Sequence, residues 1–152
     1  MIVKSVPVRA AAALTGSNVD TSAVSIRGAR MVAFVCSATD AVQLSAATPQ
    51  LTNDGTNWVS SGTIGAAPTN GKANAVFDGA VTSLALNAGA ATLFVLPGGS
   101  NNINPPFFTE AKARLRVSTA GTVAGFAVTA LVFYDEDTRQ VVGDDMAGIL
   151  PL

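Results

Sequence analysis

The chain has 152 residues, 49% of them apolar but only 12% charged, and nine Lys or Arg against ten Asp or Glu leave a formal net charge of −1. It has no histidine and a single cysteine. These counts exclude histidine-dependent nucleophile triads, histidine-ligated or cysteine-rich zinc and an internal disulfide, and the lack of a basic run argues against nucleic acid.

The length fits one domain, 1–152, with extended arms at 1–10 and 146–152. Ile2–Ala10 reads as an extended first segment, kept to an edge or a subunit contact by Pro7. Ala10–Leu14 has the composition of one helical turn, stopped by Thr15-Gly16-Ser17-Asn18. Val19–Arg27 reads as a strand ended by Gly28, and Arg30–Ser37 as a stronger one. Cys36, inside that apolar run, is expected to be a buried small hydrophobe. Ala41–Ala46 alternates, and the turn from Asn53 to Asn57 delivers Trp58 onto a strand running towards Ile64.

Ser60–Asn74, rich in Gly, Ala, Ser and Asn, reads as a long surface loop. Ala75–Phe77, Val81–Leu86 and Ala91–Leu96 are short strand candidates. Pro97–Pro106 makes a second loop, with Phe107 and Phe108 at its base as either a core plug or an anchor for a partner. The pattern ends with an acidic turn at Asp135–Asp137, a short strand at Arg139–Val142 and an apolar tail.

Ala111–Tyr134 organises the rest. It reads as two strands joined in a hairpin by a tight turn at Ser118–Thr122. In the first, Ala111, Ala113, Leu115 and Val117 share one face, and Lys112, Arg114 and Arg116 the other. The second is apolar on both faces: Phe126, Val128, Ala130 and Val132 on one, Ala127, Leu131 and Phe133 on the opposite one. Such a strand needs cover on both sides, from a second sheet or from another copy of the chain. About nine or ten short strands with no amphipathic helix predict an all-β fold, an antiparallel β-sandwich or jelly roll of about eight core strands.

Candidate sites are few. The carboxylate pairs Asp135/Asp137 and Asp144/Asp145 lie in turn-like sequence, and Gly98-Gly99 is not followed by the helix a phosphate loop requires. No catalytic residue, metal site or cofactor is expected, and no enzyme activity. An enzyme would need a pocket gathering Lys72, Lys112 or a carboxylate beside a serine. Lys112, Arg114 and Arg116, about 6–7 Å apart along one face, are a solvated edge-protecting rail or a contact to acidic groups. Asp135–Asp145, with five acids and Arg139, sums to −4 and could supply those groups, on a neighbour or within one chain. Trp58 with Asn53 and Asn57 is a sugar-stacking platform, or else Trp58 caps the core with its ring buried and its indole N–H paired.

No apolar stretch approaches the ~20 residues of a membrane span. The N-terminus lacks the continuous apolar centre of a signal peptide, so a mature protein made in a cytoplasm is expected.

LTNDGTNWVSSGTI resembles a DG-x-x-W segment of small β-sandwich proteins among the virion components of tailed bacteriophages. EAKARLRVSTAGTVAGFAVTALVFY resembles the R-x-R-V-x-x-x-G-T hairpin of such domains, and with RGARMVAFV the likeness covers about half the chain. It implies a structural role: a head decoration (cement) protein, commonly a trimer, or a head-fibre or tail-associated minor protein. The expected partners are further copies of the chain, as a homotrimer or other homo-oligomer, and the major capsid protein or another virion protein. The expected location is the virion, after synthesis in the host cytoplasm. The residues expected at interfaces are Ile2, Val3, Val6, Phe107, Phe108, Lys112, Arg114, Arg116, Leu131, Phe133, Ile149, Leu150 and Leu152. The alternative is a carbohydrate-binding or adhesin module of a tail or head fibre, using Asn53, Asn57 and Trp58.

Overall fold

A computed structural model describes residues 1–39, 42–60, 76–78, 84–86, 90–97 and 107–135. The described residues contain twelve strands and no helix: β1 (Ile2–Leu14), β2 (Val19–Asp20), β3 (Val24–Ser25), β4 (Met31–Ser37), β5 (Val42–Leu44), β6 (Ala46–Thr52), β7 (Val59–Ser60), β8 (Val76–Asp78), β9 (Leu84–Leu86), β10 (Ala90–Val95), β11 (Lys112–Ser118) and β12 (Val123–Tyr134). Two main sheets form. The first has the order β1-β12-β4-β10-β8; the second runs β2-β11-β6-β7, with β3 also paired to β11. A two-stranded ribbon joins β5 to β9. All pairings are antiparallel except β8 with β10.

The sheets are packed as a β-sandwich, and strand periodicity explains why. Each strand sends alternate residues inward. Phe126, Val128, Ala130 and Val132 of β12 and Val32, Phe34 and Cys36 of β4 meet Ala113, Leu115 and Val117 of β11 in one buried core. Phe108 belongs to that core, 1% exposed. Its N–H donates to the Ala29 carbonyl at 2.9 Å and its carbonyl accepts from Gly28 N–H at 2.8 Å, so it plugs the gap beside the Gly28 turn.

Several local expectations are corrected. The strands flanking Ser118–Thr122 form where expected, but they do not pair. β11 lies in the second sheet between β2 and β6, whereas β12 lies in the first between β1 and β4. The connection is therefore an arch from one sheet to the other. It is held by Thr119 N–H donating to the Gly16 carbonyl and Ser45 N–H to the Ser118 carbonyl, both at 2.9 Å.

Residues 1–10 are an edge strand on β12, and Ala10–Leu14 continues that strand instead of turning into a helix. Val19–Arg27 is broken into β2 and β3. At the break Thr21 Oγ1 accepts from Leu115 N–H at 3.0 Å, while Ser22 N–H donates to the Val8 carbonyl at 2.9 Å and ties one sheet to the other. β6 was not foreseen at all. The readings for residues 61–75, 98–106 and 136–152, including Arg139–Val142 and Ile149, Leu150 and Leu152, lie outside the described residues.

Candidate functional site

The outer faces of the two sheets have opposite characters. On the second sheet the register places Arg114 opposite Gln50, Arg116 opposite Thr48 and Asp20, and Gln50 opposite Ser60. Opposed residues share a face, so a polar row crosses four strands in the order β2, β11, β6, β7.

The row is closed by direct contacts. Arg116 grips the Asp20 carboxylate with two bonds, Nε to Oδ1 at 2.7 Å and NH2 to Oδ2 at 3.0 Å. Arg114 NH1 lies 3.5 Å from Asp20 Oδ2, and its Nε donates to Gln50 Oε1 at 2.8 Å. Gln50 Nε2 in turn donates to Ser60 Oγ at 3.2 Å. The Arg114 guanidinium sits over the Trp58 ring, 4.1 Å from its centroid, the geometry of a cation–π stack. These contacts leave the Arg114 side chain only 18% exposed.

The hydrogen bond from Arg116 is the main cause holding the Asp20 carboxyl below the usual aspartate range; the nearby Arg114 charge adds to it, against the opposing effect of partial burial. The same bond raises Arg116. The rail expected at Lys112, Arg114 and Arg116 thus exists, and Asp20 is an intrachain partner for its two arginines. Lys112 is exposed. Asp135, the one described acid of the Asp135–Asp145 segment, pairs instead with Arg30 at 3.1 Å.

Trp58 lies on this outer face, half-buried, and so neither caps the core nor stands free. Asn53 and Asn57 are exposed in the turn before it. Asn57 is committed to that turn: its backbone N–H and side-chain Nδ2 both donate to Asp54, each at 2.7 Å. Thr56 N–H adds a bond at 2.8 Å and Thr52 Oγ1 another at 3.1 Å. The Asn57 and Thr56 backbone donors are the largest causes holding Asp54 far below the ordinary carboxylate range. This carboxylate closes a turn. Among the described residues no group of three or more His, Cys, Asp or Glu could hold a metal ion.

Asp20, Gln50 and Ser60 were not singled out from the sequence. One signal was present: Thr48, Gln50 and Thr52 alternate with Ala47, Pro49 and Leu51, the period of a half-buried strand.

The outer face of the first sheet is apolar. Leu131 and Phe133 of β12, Met31 and Val35 of β4 and Phe94 of β10 are half-buried there, and Val3 of β1 is 49% exposed. Ala33, between Leu131 and Phe94, is fully covered. No charged residue stands on this face over the register-aligned parts of β1, β12, β4 and β10; Ser5, Ser37, Thr92 and Thr129 are its polar positions. Of the other residues expected at interfaces, Ile2 and Val6 are half-buried against the core, Phe107 is half-buried, and Phe108 is inside. Burial makes Phe108 a core plug and removes it from any contact surface. Cys36 is wholly buried, which pushes its thiol up to about 12.

No protein-family model matches the sequence, and no curated protein matches it. Among solved structures, the chain is similar to the family 11 carbohydrate-binding module from Clostridium thermocellum in complex with a β-1,3-1,4-mixed-linked tetrasaccharide. The identity is 11%, the match covers 88% of this chain and 83% of that one, and the TM-score is 0.39.

Proposed function

We propose that this chain is a structural protein of a bacteriophage virion, a capsid decoration or cement subunit that acts as a homo-oligomer by burying surface against its own copies and the shell. The observation that carries the proposal is the outer face of the first sheet, apolar and without a charged residue over β1, β12, β4 and β10. Isolated sandwiches put polar residues on their outward positions, whereas this face offers Leu131, Phe133, Met31, Val35, Phe94 and Val3. These four strands carry no charge on that face, so a symmetric contact through them meets no like-charge repulsion. Each such contact forms only in the folded, assembled state, and mass action then raises the cost of opening the shell.

Light scattering on the purified chain tests this directly. A homo-oligomer is expected, with Leu131→Asp and Phe133→Asp both shifting it towards the 15.3 kDa monomer while circular dichroism stays that of a β-sheet protein. A wild-type chain that remains monomeric at high concentration would overturn the proposal.

A further inference from the structure

The opposite face of the sandwich carries a second site, independent of the assembly reading. We infer that Asp20, Arg116, Arg114 and Ser60, braced by the buried Gln50 and with Trp58 above them, bind a short uncharged oligosaccharide laid across strands β2, β11, β6 and β7.

Sugar recognition needs an aromatic ring for the C–H faces of the pyranose and planar groups that donate and accept hydrogen bonds in pairs. Both are present and both are fixed. Trp58 is half-buried on a guanidinium at 4.1 Å, and that guanidinium is itself locked by Gln50 and Asp20. Side chains held this firmly have already lost the rotamer freedom that binding would otherwise cost. A merely solvated cationic face would hold its arginines loosely.

The row also has the right extent. It spans three interstrand spacings, about 14 Å, with a step of two residues along β11 from Arg116 to Arg114. An arginine has five N–H donors. Arg114 uses Nε on Gln50 and NH1 on Asp20, and Arg116 uses Nε and NH2 on Asp20. Each guanidinium therefore keeps N–H groups beyond those bonds, beside the Asp20 oxygens, which accept, and the Ser60 hydroxyl lies farther along the row beyond Gln50. Hydroxyl groups, at once donors and acceptors, match that mixture.

Charge decides between ligand classes. Asp20 offsets one of the two guanidinium charges and holds both arginines, so the row keeps a net charge of only +1, less than the clustered bare cations that capture phosphate or carboxylate groups. A nucleic-acid strand would need several such uncompensated cations in line with its phosphates.

Trp58 is the sole tryptophan of the chain, so its emission reports on this site alone. The experiment titrates the full chain with maltotetraose, cellotetraose, chitotetraose and mannotetraose, and in parallel with an alginate tetrasaccharide and a short oligothymidylate. At least one neutral tetrasaccharide is expected to change the emission saturably. Calorimetry with that sugar should weaken on the order of tenfold in Trp58→Ala and in Arg114→Lys, which keeps the charge but loses the planar stack. Melting curves verify that both variants are folded, and Trp58→Phe replaces Trp58→Ala if the latter is not. No response to any neutral sugar would overturn the inference, as would a response to the alginate or oligothymidylate alone. Undiminished affinity in both variants would place the sugar elsewhere and overturn it equally.

Discussion

Gly125 shows how one residue can set the shape of a strand. Between the partners Ala12–Phe126 and Leu14–Val123, β12 has two residues where β1 has one, which is a β-bulge. Gly125 occupies it with φ +61°, and a Cβ there would run into the Thr39 hydroxyl. Thr39 cannot easily withdraw, because its own N–H donates to the Ala124 carbonyl at 3.0 Å. Gly125→Ala is therefore expected to cost about 2 kcal/mol or more, combining the left-handed backbone with the collision. Gly121, in the arch, has open space around it and an ordinary φ. Gly121→Ala should stay within about 0.5 kcal/mol of the wild type. Urea denaturation of the two variants checks this; equal midpoints would refute the role given to Gly125.

At the scale of elements, the position of strands was legible and their pairing was not. β4, β10, β11 and β12 stand within a residue or so of their expected places: β11 by its strict alternation, the other three as short apolar runs rich in β-branched and aromatic residues. The arch escaped because hairpin and arch make the same local demand. In either, Leu115 and Val117 before the bend, and Phe126 and Val128 after it, must face one core. β6 escaped because Pro49 argues against a strand interior, yet Pro49 is accommodated opposite Leu115. The ligand row escaped with it, since Gln50 and Ser60 acquire meaning only beside Arg114.

The Asp20–Arg116 pair is a contact between distant segments that holds β2 to β11, and its strength depends on pH in a determined direction. The folded-state pKa of Asp20 is lowered, so the pair's contribution is present above the ordinary aspartate value, about 3.9, and is lost as pH falls through the lower folded value. Asp20→Asn should thus be less stable than the wild type at pH 7, by about 1 kcal/mol or less for a partly exposed pair. The gap should narrow below about pH 4. A gap of the same size at pH 7 and pH 2 would show that charge is not what Asp20 contributes.

For the whole molecule, the two outer faces make opposite demands on solvent, and this separates the proposed assembly from its rivals. If subunits meet through β1, β12, β4 and β10 of the first sheet, their contact buries Leu131, Phe133 and Phe94 and no charge. Salt screens charges, with a Debye length of about 10 Å at 0.1 M and about 3 Å at 1 M; an uncharged contact has nothing to screen. Raising sodium chloride between those concentrations should leave the dissociation constant unchanged or lower it, and sulfate should lower it further. Cooling towards 5 °C should weaken association, because apolar burial loses driving force in the cold. A contact through Lys112, Arg114 and Arg116 would behave in the reverse way, loosening steadily with salt. Sedimentation equilibrium across this series reads both. Dissociation by salt would move the interface to the arginine rail, and the same face could not then be open to a sugar.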